Sequence, residues 1–202
     1  MSLDVGYFDQ MYAASGDPWG LATRWYEARK YALSLALLPA RHYQQAFEPG
    51  CSVGVLTAML AARCGQVLAW DASAGAVRSA AARTAGLANV CVRQGTIARD
   101  WPPGRFDLVV FSEVLYYFAG RELDEVLDAG VASLRPGGTI LAVHWRHPVA
   151  DYPRSGDDVH RVLAERRDLA LRVGHTEADF HAGVYQRAGQ PLVSVAEAEG
   201  LV

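Results

Sequence analysis

Lysine is almost missing from this 202-residue chain: Lys30 is the only one among 19 basic residues, set against 22 acidic ones. The net charge of −3 leaves no basic field, which excludes the electrostatics of nucleic-acid binding. Cysteine is scarce too. Cys51, Cys64 and Cys91 are odd in number and form no CxxC pair, so neither a disulfide framework nor a zinc site follows. Nor do His, Asp and Glu fall at metal-ligand spacing, and no metal is expected. No apolar run nears the ~20 residues that span a bilayer, so no membrane partner is expected. Met1 to Gln10 carries Asp4 and Asp9 and lacks a basic stretch, unlike a signal peptide, and the expected location is the cytoplasm. Internal repeats, low-complexity segments and linkers are also missing. Residues 1–202 are therefore expected to form a single domain, with residues 1–40 as an N-terminal helical segment or lid within it.

What is present is alternation. Residues 1–20 read as an aromatic loop ending in Gly16-Asp17-Pro18-Trp19-Gly20. From Leu21 to Leu38, Trp25, Ala28, Ala32, Leu35 and Ala36 recur at helical steps and predict an apolar stripe, with Arg24, Glu27 and Lys30 on the opposite face and Arg29 beside the stripe. Strands are expected at 45–48, 67–71, 90–93, 106–111 and 139–145. Helices are expected over 53–64, 73–84 and 123–134, with Ser73 as an N-cap. Five strands alternating with helices imply a parallel sheet covered on both faces. A helix over 157–164 precedes two strands, 169–176 and 179–187, joined by a very short turn, hence an antiparallel hairpin. A last short helix is expected over 194–201. The fold class is α/β, Rossmann-like, with a seven-stranded, mostly parallel sheet ending in that hairpin.

The most informative stretch is Glu48-Pro49-Gly50-Cys51-Ser52-Val53-Gly54, between the first strand and a run of good helix formers. A strand, a glycine turn and a helix in that order bring backbone and a helix N-terminus close to a ligand. The next strand ends in Asp71, whose carboxylate can accept hydrogen bonds from both hydroxyls of a ribose. The residues alone leave other readings open. Gly50-Cys51-Ser52-Val53-Gly54 also spells GxSxG, the nucleophile elbow of α/β hydrolases, although only a loop and one helix precede it. A nicotinamide dehydrogenase would need GxGxxG, and Ser52 and Val55 stand at its second and third glycines. A cofactor-holding subunit without activity is the third alternative.

Taken together, the glycine turn, Asp71, Leu134-Arg135-Pro136-Gly137-Gly138 and the terminal hairpin resemble a class I S-adenosylmethionine-dependent methyltransferase. Asp17-Pro18-Trp19-Gly20, Arg24-Trp25-Tyr26-Glu27, Glu48-Pro49-Gly50-Cys51-Ser52, Ser112-Glu113-Val114-Leu115-Tyr116-Tyr117 and His144-Trp145-Arg146-His147-Pro148 narrow this. As a set they are similar to the nodulation-type (NodS) N-methyltransferases, which methylate the free amine of a partly deacetylated chitooligosaccharide. The resemblance implies S-adenosyl-L-methionine as cofactor, S-adenosyl-L-homocysteine as product, and an amino sugar or chitooligosaccharide amine as substrate. The alternative is a small-molecule N- or O-methyltransferase of secondary metabolism.

By position, the resemblance implies that Gly50, Cys51 and Gly54 line the methionine part, with Glu48 opening the motif. It implies that Asp71 holds the ribose, Ala72 lies beside the adenine, and Gly95, Thr96 and Ile97 flank the adenine edge. Ser112 and Glu113 are expected near the sulfonium and amino group. Arg24 or Arg29 is a candidate grip on the methionine carboxylate, because an Arg can bind it through two parallel hydrogen bonds. Trp19 is a candidate shield for the sulfonium. For the acceptor pocket the candidates are Tyr116, Tyr117, His144, Trp145, Arg146 and His147, since ring faces attract cations. Glu113 and His144 are the candidate bases, His being poised near neutral pH.

Overall fold

The computed structural model describes residues 2–189, 191 and 193–202. A helix, α1 (Val5–Ala14), opens the chain, its N-terminus capped by Asp4, which accepts a hydrogen bond from the Tyr7 N–H at 3.1 Å. This corrects the expectation of a loop over residues 1–20. No residue of α1 is buried, so only the spacing of Phe8, Met11 and Tyr12 after a capping Asp marks it in the sequence.

The next helix, α2 (Trp25–Leu37), is turned inside out relative to its apolar pattern. Glu27, Lys30, Tyr31 and Ser34 form the buried face, while Trp25 is 78% exposed and Ala28 and Ala32 face outward. The reason is electrostatic: Lys30 has two carboxylate partners inside the protein, at Glu27 and Glu113. The C-terminus of α2 is held by the Arg63 guanidinium, which donates to the carbonyls of Leu35, Leu38 and Ala40.

The remaining elements alternate as expected. They are β1 (Tyr43–Pro49), α3 (Val55–Ala61), β2 (Cys64–Asp71), α4 (Ala74–Thr84), β3 (Val90–Gln94), β4 (Phe106–Ser112), α5 (Arg121–Ser133) and β5 (Leu134–Trp145). They continue with α6 (Gly156–Glu165), β6 (Leu169–Thr176), β7 (Phe180–Arg187) and α7 (Val195–Ala198). Ser73 caps α4 by accepting from the Gly75 N–H at 3.2 Å, and Ser155 and Asp158 form a capping box on α6. Helix α3 is shorter than expected because Gly54 adopts φ 76° and the chain turns at Arg63 to start β2. Strand β5 starts five residues early, where Leu134 pairs with Phe106 before a bulge.

The seven strands form one sheet in the order β3-β2-β1-β4-β5-β7-β6, parallel except for the β5–β7 and β6–β7 pairs. Phe47, Val109, Phe111 and Ile140 pack beneath α5 and α6 on one face; Leu108, Val110, Leu141 and Val143 join Tyr31, Leu56 and Leu60 on the other. Sequence order reverses between β1 and β4, whose C-terminal ends therefore lie side by side at an open crevice. That is where open α/β sheets receive ligands. No helix among the described residues is long and apolar enough to cross a membrane.

Gly54 fills two demands at once. Its φ lies in the left-handed region, and an added Cβ would stand 2.8 Å from the Ala80 Cα. Gly54→Ala should lower the unfolding free energy by about 1–3 kcal/mol, through crowding against α4. Gly86→Ala is the control, since a Cβ there meets nothing within 4 Å. Denaturant titration of both variants checks the difference.

Candidate functional site

The glycine turn leaves β1 with Gly50 at φ 73°, Ser52 at φ 50° and Gly54 at φ 76°. A left-handed serine is strained, and two contacts hold it. Its N–H donates to Asp71 Oδ2 at 2.8 Å, and its hydroxyl is hydrogen-bonded to the hydroxyl of Tyr12 on α1. The other Asp71 oxygen accepts from the Ser73 N–H at 3.0 Å, and Ser73 Oγ reaches Asp9 at 2.7 Å. Burial pushes Asp71 up to about 6, partly offset by these backbone donors. Each carboxylate oxygen keeps a second lone pair for a ligand hydroxyl. Ser52 has no base beside it: its partner Tyr12 is a phenol whose pKa burial raises far above its ordinary value. The arrangement lacks what a hydrolase nucleophile needs.

At the end of β4 the chain turns on a second left-handed residue, Glu113, at φ 57°. The residue is tied in four ways, three of them through its carboxylate. Oε1 accepts from Lys30 Nζ at 2.6 Å, and Oε2 accepts from the Tyr116 hydroxyl at 2.6 Å and the Trp145 N–H at 2.9 Å, while its own N–H donates to Val143. Lys30 Nζ also lies 2.9 Å from Glu27 and 5.0 Å from the centre of the Tyr26 ring. Burial opposes the Lys30 charge, but Glu113 and Glu27 more than offset it and hold its pKa above the ordinary lysine range. Burial raises Glu27, against the pull of Lys30. The Tyr26 hydroxyl is buried without a partner.

These groups surround a cavity of about 250 Å³ at the β1/β4 crevice. Of the expected residues, Trp19, Arg24, Glu48, Gly50, Cys51, Asp71, Ser112, Glu113, Tyr116, Tyr117 and Trp145 line it. A smaller hollow of about 90 Å³ adjoins it, lined by Ala72, Gly95, Thr96 and Ile97, with Phe8, Gly50, Asp71 and Tyr117 common to both. Arg24 has no carboxylate within salt-bridge distance among the described residues, leaving its guanidinium free at the cavity.

Five expectations are corrected. Arg29 lies outside the cavity, in a bidentate pair with Glu177 at 2.7 Å through both nitrogens. Gly54 serves helix packing and does not line the cavity. Arg146 is held by Asp157 at 2.8 and 3.1 Å and by the Glu177 carbonyl, and His147 pairs with Asp179 at 2.8 Å. His144 is fully buried behind Tyr116. Its Nε2 accepts from the Leu115 N–H at 3.3 Å, which leaves the proton on Nδ1, facing His160 Nε2 at 3.2 Å. Burial, then the neighbouring His160 and Lys30, push its pKa well down. His144 is a neutral structural imidazole with no free lone pair for a substrate proton.

Sequence reasoning missed Phe8, Tyr12, Tyr26, Glu27, Lys30, Tyr31 and Tyr152 at the cavity. Lys30 carried a signal as the sole lysine in an arginine-rich chain, and Tyr26 and Glu27 stood in the motif Arg24-Trp25-Tyr26-Glu27.

The family profile described as Nodulation protein S (NodS) matches residues 9–152. The chain belongs to the NodS family. A Nodulation protein S of Bradyrhizobium diazoefficiens is 31% identical over 130 residues, covering 63% of this chain and 62% of the relative. That of Rhizobium tropici is 28% identical over 130 residues, 63% of this chain and 55% of the relative. The chain thus spans less than two thirds of the length of these curated relatives. A crystal structure of a putative methyltransferase from Pseudomonas syringae is 41% identical, covers 81% of this chain and all of its own, and superposes with a TM-score of 0.73. The N-methyltransferase NodS from Bradyrhizobium japonicum WM9, in complex with S-adenosyl-l-homocysteine, gives 0.81 at 24% identity over 91% of this chain and 98% of its own. The NodS-family chain has the class I, Rossmann-like methyltransferase fold.

Glu48 is the titratable oddity of this site. It is buried at the cavity wall, and burial pushes it up to about 8 despite a 2.6 Å hydrogen bond from Thr57. The fold therefore prefers Glu48 protonated, and the native state holds more protons than the unfolded chain between the ordinary carboxyl range and pH 8. Stability should fall as pH rises across that window. Relative to Glu48→Gln, the parent should lose up to about 1.4 kcal/mol per pH unit there and no more above it. Urea titrations from pH 5 to 9 check the slope.

Proposed function

We propose that this NodS-family protein is an S-adenosyl-L-methionine-dependent N-methyltransferase acting on the free amine of an amino sugar or chitooligosaccharide. One observation carries the reading. The glycine turn of β1, the Asp71 carboxylate and Glu113 converge where strand order reverses, on a cavity that shares Gly50 and Asp71 with a second hollow. Family membership supports it.

The residues present fit the cofactor. Asp71 keeps lone pairs for the ribose hydroxyls. Ala72, Gly95, Thr96 and Ile97 surround a hollow suited to adenine, and an added Cβ at Gly95 would stand 2.5 Å from the Trp70 ring, so this wall has no room to grow. Gly50 and Cys51 border the methionine stretch, and Arg24 is free to pair with its carboxylate. Bound there, S-adenosyl-L-methionine supplies an activated methyl group, leaving as S-adenosyl-L-homocysteine.

Methyl transfer needs an amine lone pair in line behind the methyl carbon. The nitrogen–carbon bond forms as the carbon–sulfur bond breaks, the electron pair stays on sulfur, and the nitrogen releases one proton. The chain's task is to position the amine and exclude water. Trp19, Tyr26, Tyr116 and Trp145 supply the dry walls. The floor carries two carboxyls for one ammonium, a balance suited to an amine acceptor. Glu113 acts there as a fixed negative charge. Its oxygens are already engaged by Lys30, the Tyr116 hydroxyl and the Trp145 N–H, which disfavours it as a base. The proton leaves to water at the mouth.

Asp71→Asn removes the charge and leaves an acceptor for only one of the Ser52 and Ser73 N–H groups, which donate to different Asp71 oxygens. It should weaken S-adenosyl-L-homocysteine binding by about ten- to a hundredfold in calorimetry. Labelled S-adenosyl-L-methionine, offered with chitooligosaccharides bearing or lacking a free amine, tests the acceptor. Label should enter only those with the amine; transfer solely to unrelated amines or hydroxyls would overturn the sugar-amine reading and leave the cofactor reading intact.

A further inference from the structure

We propose that Tyr116 is the residue that orients the acceptor amine, and that Lys30 acts through Glu113 as the positioning residue that keeps its hydroxyl turned the right way. The inference rests on the amine-methylating reading above and names the atom that meets the amine.

A phenol can donate one hydrogen bond and accept others, so a free tyrosine in a cavity wall can meet a ligand in either sense. Tyr116 has no such choice. Its hydroxyl donates to Glu113 Oε2 at 2.6 Å, and that carboxylate is anchored on its other oxygen by Lys30 Nζ at 2.6 Å and on the same oxygen by the Trp145 N–H at 2.9 Å. The ring is clamped as well, stacked on Tyr152 at 4.9 Å and edge-on to Tyr117 and His144 at 4.8 and 5.4 Å. Burial and the Glu113 charge raise the Tyr116 pKa, so the hydroxyl keeps its proton. What Tyr116, itself part of the cavity wall, has left to offer is a lone pair.

A neutral primary amine carries two N–H donors and one lone pair. Accepting one N–H at Tyr116 Oη leaves the nitrogen lone pair unengaged and limits where it points, the condition for in-line attack. A hydroxyl acceptor has a single hydrogen, which must itself be removed, so the same contact discriminates in favour of amines. A charge-assisted O–H···O⁻ bond to a fixed carboxylate holds its geometry better than a neutral one. Lys30 supplies that fixity from outside the reacting groups: it is 2% exposed, and its ammonium lies between Glu27 and Glu113.

Because Lys30 is the only lysine, protein labelled with ¹⁵N and ¹³C at the lysine side-chain terminus gives one reporter signal for this ion pair. In the parent that signal should keep its ammonium shift above the ordinary lysine range. In Glu113→Gln its midpoint should drop by about one to three pH units. In steady-state kinetics with a free-amine chitooligosaccharide, Tyr116→Phe should lower kcat by about ten- to a hundredfold. Acceptor KM and S-adenosyl-L-homocysteine affinity should stay within about twofold of the parent, as for an interaction used in the transition state. Parent-like kcat in Tyr116→Phe, or a raised KM alone, would overturn the orienting role; an unmoved lysine midpoint in Glu113→Gln would overturn the part given to Lys30. Should Glu113→Gln not fold, Glu113→Gln/Lys30→Met removes both charges and is read by kcat: a loss like that of Tyr116→Phe supports the coupling, parent-like turnover overturns it. A parent that binds S-adenosyl-L-homocysteine but methylates no sugar amine overturns the proposal together with its sugar-amine premise. Loss of that binding would instead indict the cofactor reading.

Discussion

An ammonium cannot be left alone in a protein interior, and the architecture around the crevice follows from that constraint. Lys30 must meet carboxylates, and those within reach are Glu27, one turn earlier on α2, and Glu113, at the end of β4. Satisfying it presses the polar face of α2 against the central strands of the sheet and leaves Trp25 in solvent. Tyr26 and Tyr31 are carried inward with it, so the helix that looks like a plain cover supplies a wall of the cavity. A buried pair of this kind adds little net stability over an apolar replacement. Losing one partner, however, leaves an uncompensated charge, at a cost of about 3–5 kcal/mol.

The same carboxylate gathers three parts of the chain. Glu113 takes the Tyr116 hydroxyl from the turn after β4 and the Trp145 N–H from the end of β5, besides Lys30 from α2. Across the crevice Asp71 plays a matching part, taking the N–H groups of Ser52 and Ser73. Ser52 and Glu113 are the two non-glycine residues with positive φ among the described residues, and they sit at the ends of β1 and β4. Left-handed backbone away from glycine costs of order 1–3 kcal/mol at each site. In both places a side chain or backbone donor pins the strained residue, which is how the two strand ends are held open toward a ligand.

The N-terminal segment completes the enclosure without adding to the core. Helix α1 has no buried residue and is tied to the rim by the Tyr12–Ser52 and Asp9–Ser73 contacts, the Leu3 N–H to the Tyr117 carbonyl, and the edge of Phe8 on Tyr117. Phe8 and Tyr12 nevertheless line the cavity, so a peripheral element shapes the space at the crevice.

The sequence by itself determined the alternation of strands and helices, the terminal hairpin, the glycine turn and the acid closing β2, because these rest on local periodicity and on backbone shapes that glycine permits. It also marked Glu113, Tyr116 and Trp145 through the resemblance of the motifs around them. Only the tertiary structure decided which side chains share the crevice. Helical periodicity placed Glu27 and Lys30 in solvent, and a carboxylate 83 residues away reversed that face. His144, Arg146, His147 and Arg29 read as site residues by type. They were drawn off by partners distant in the chain: His144 by the Leu115 N–H and His160, Arg146 by Asp157, His147 by Asp179, Arg29 by Glu177. Charge pairing acts through space with no periodicity to announce it. The fold could therefore be read along the chain, while the composition of the site could be read only once the chain had closed on itself.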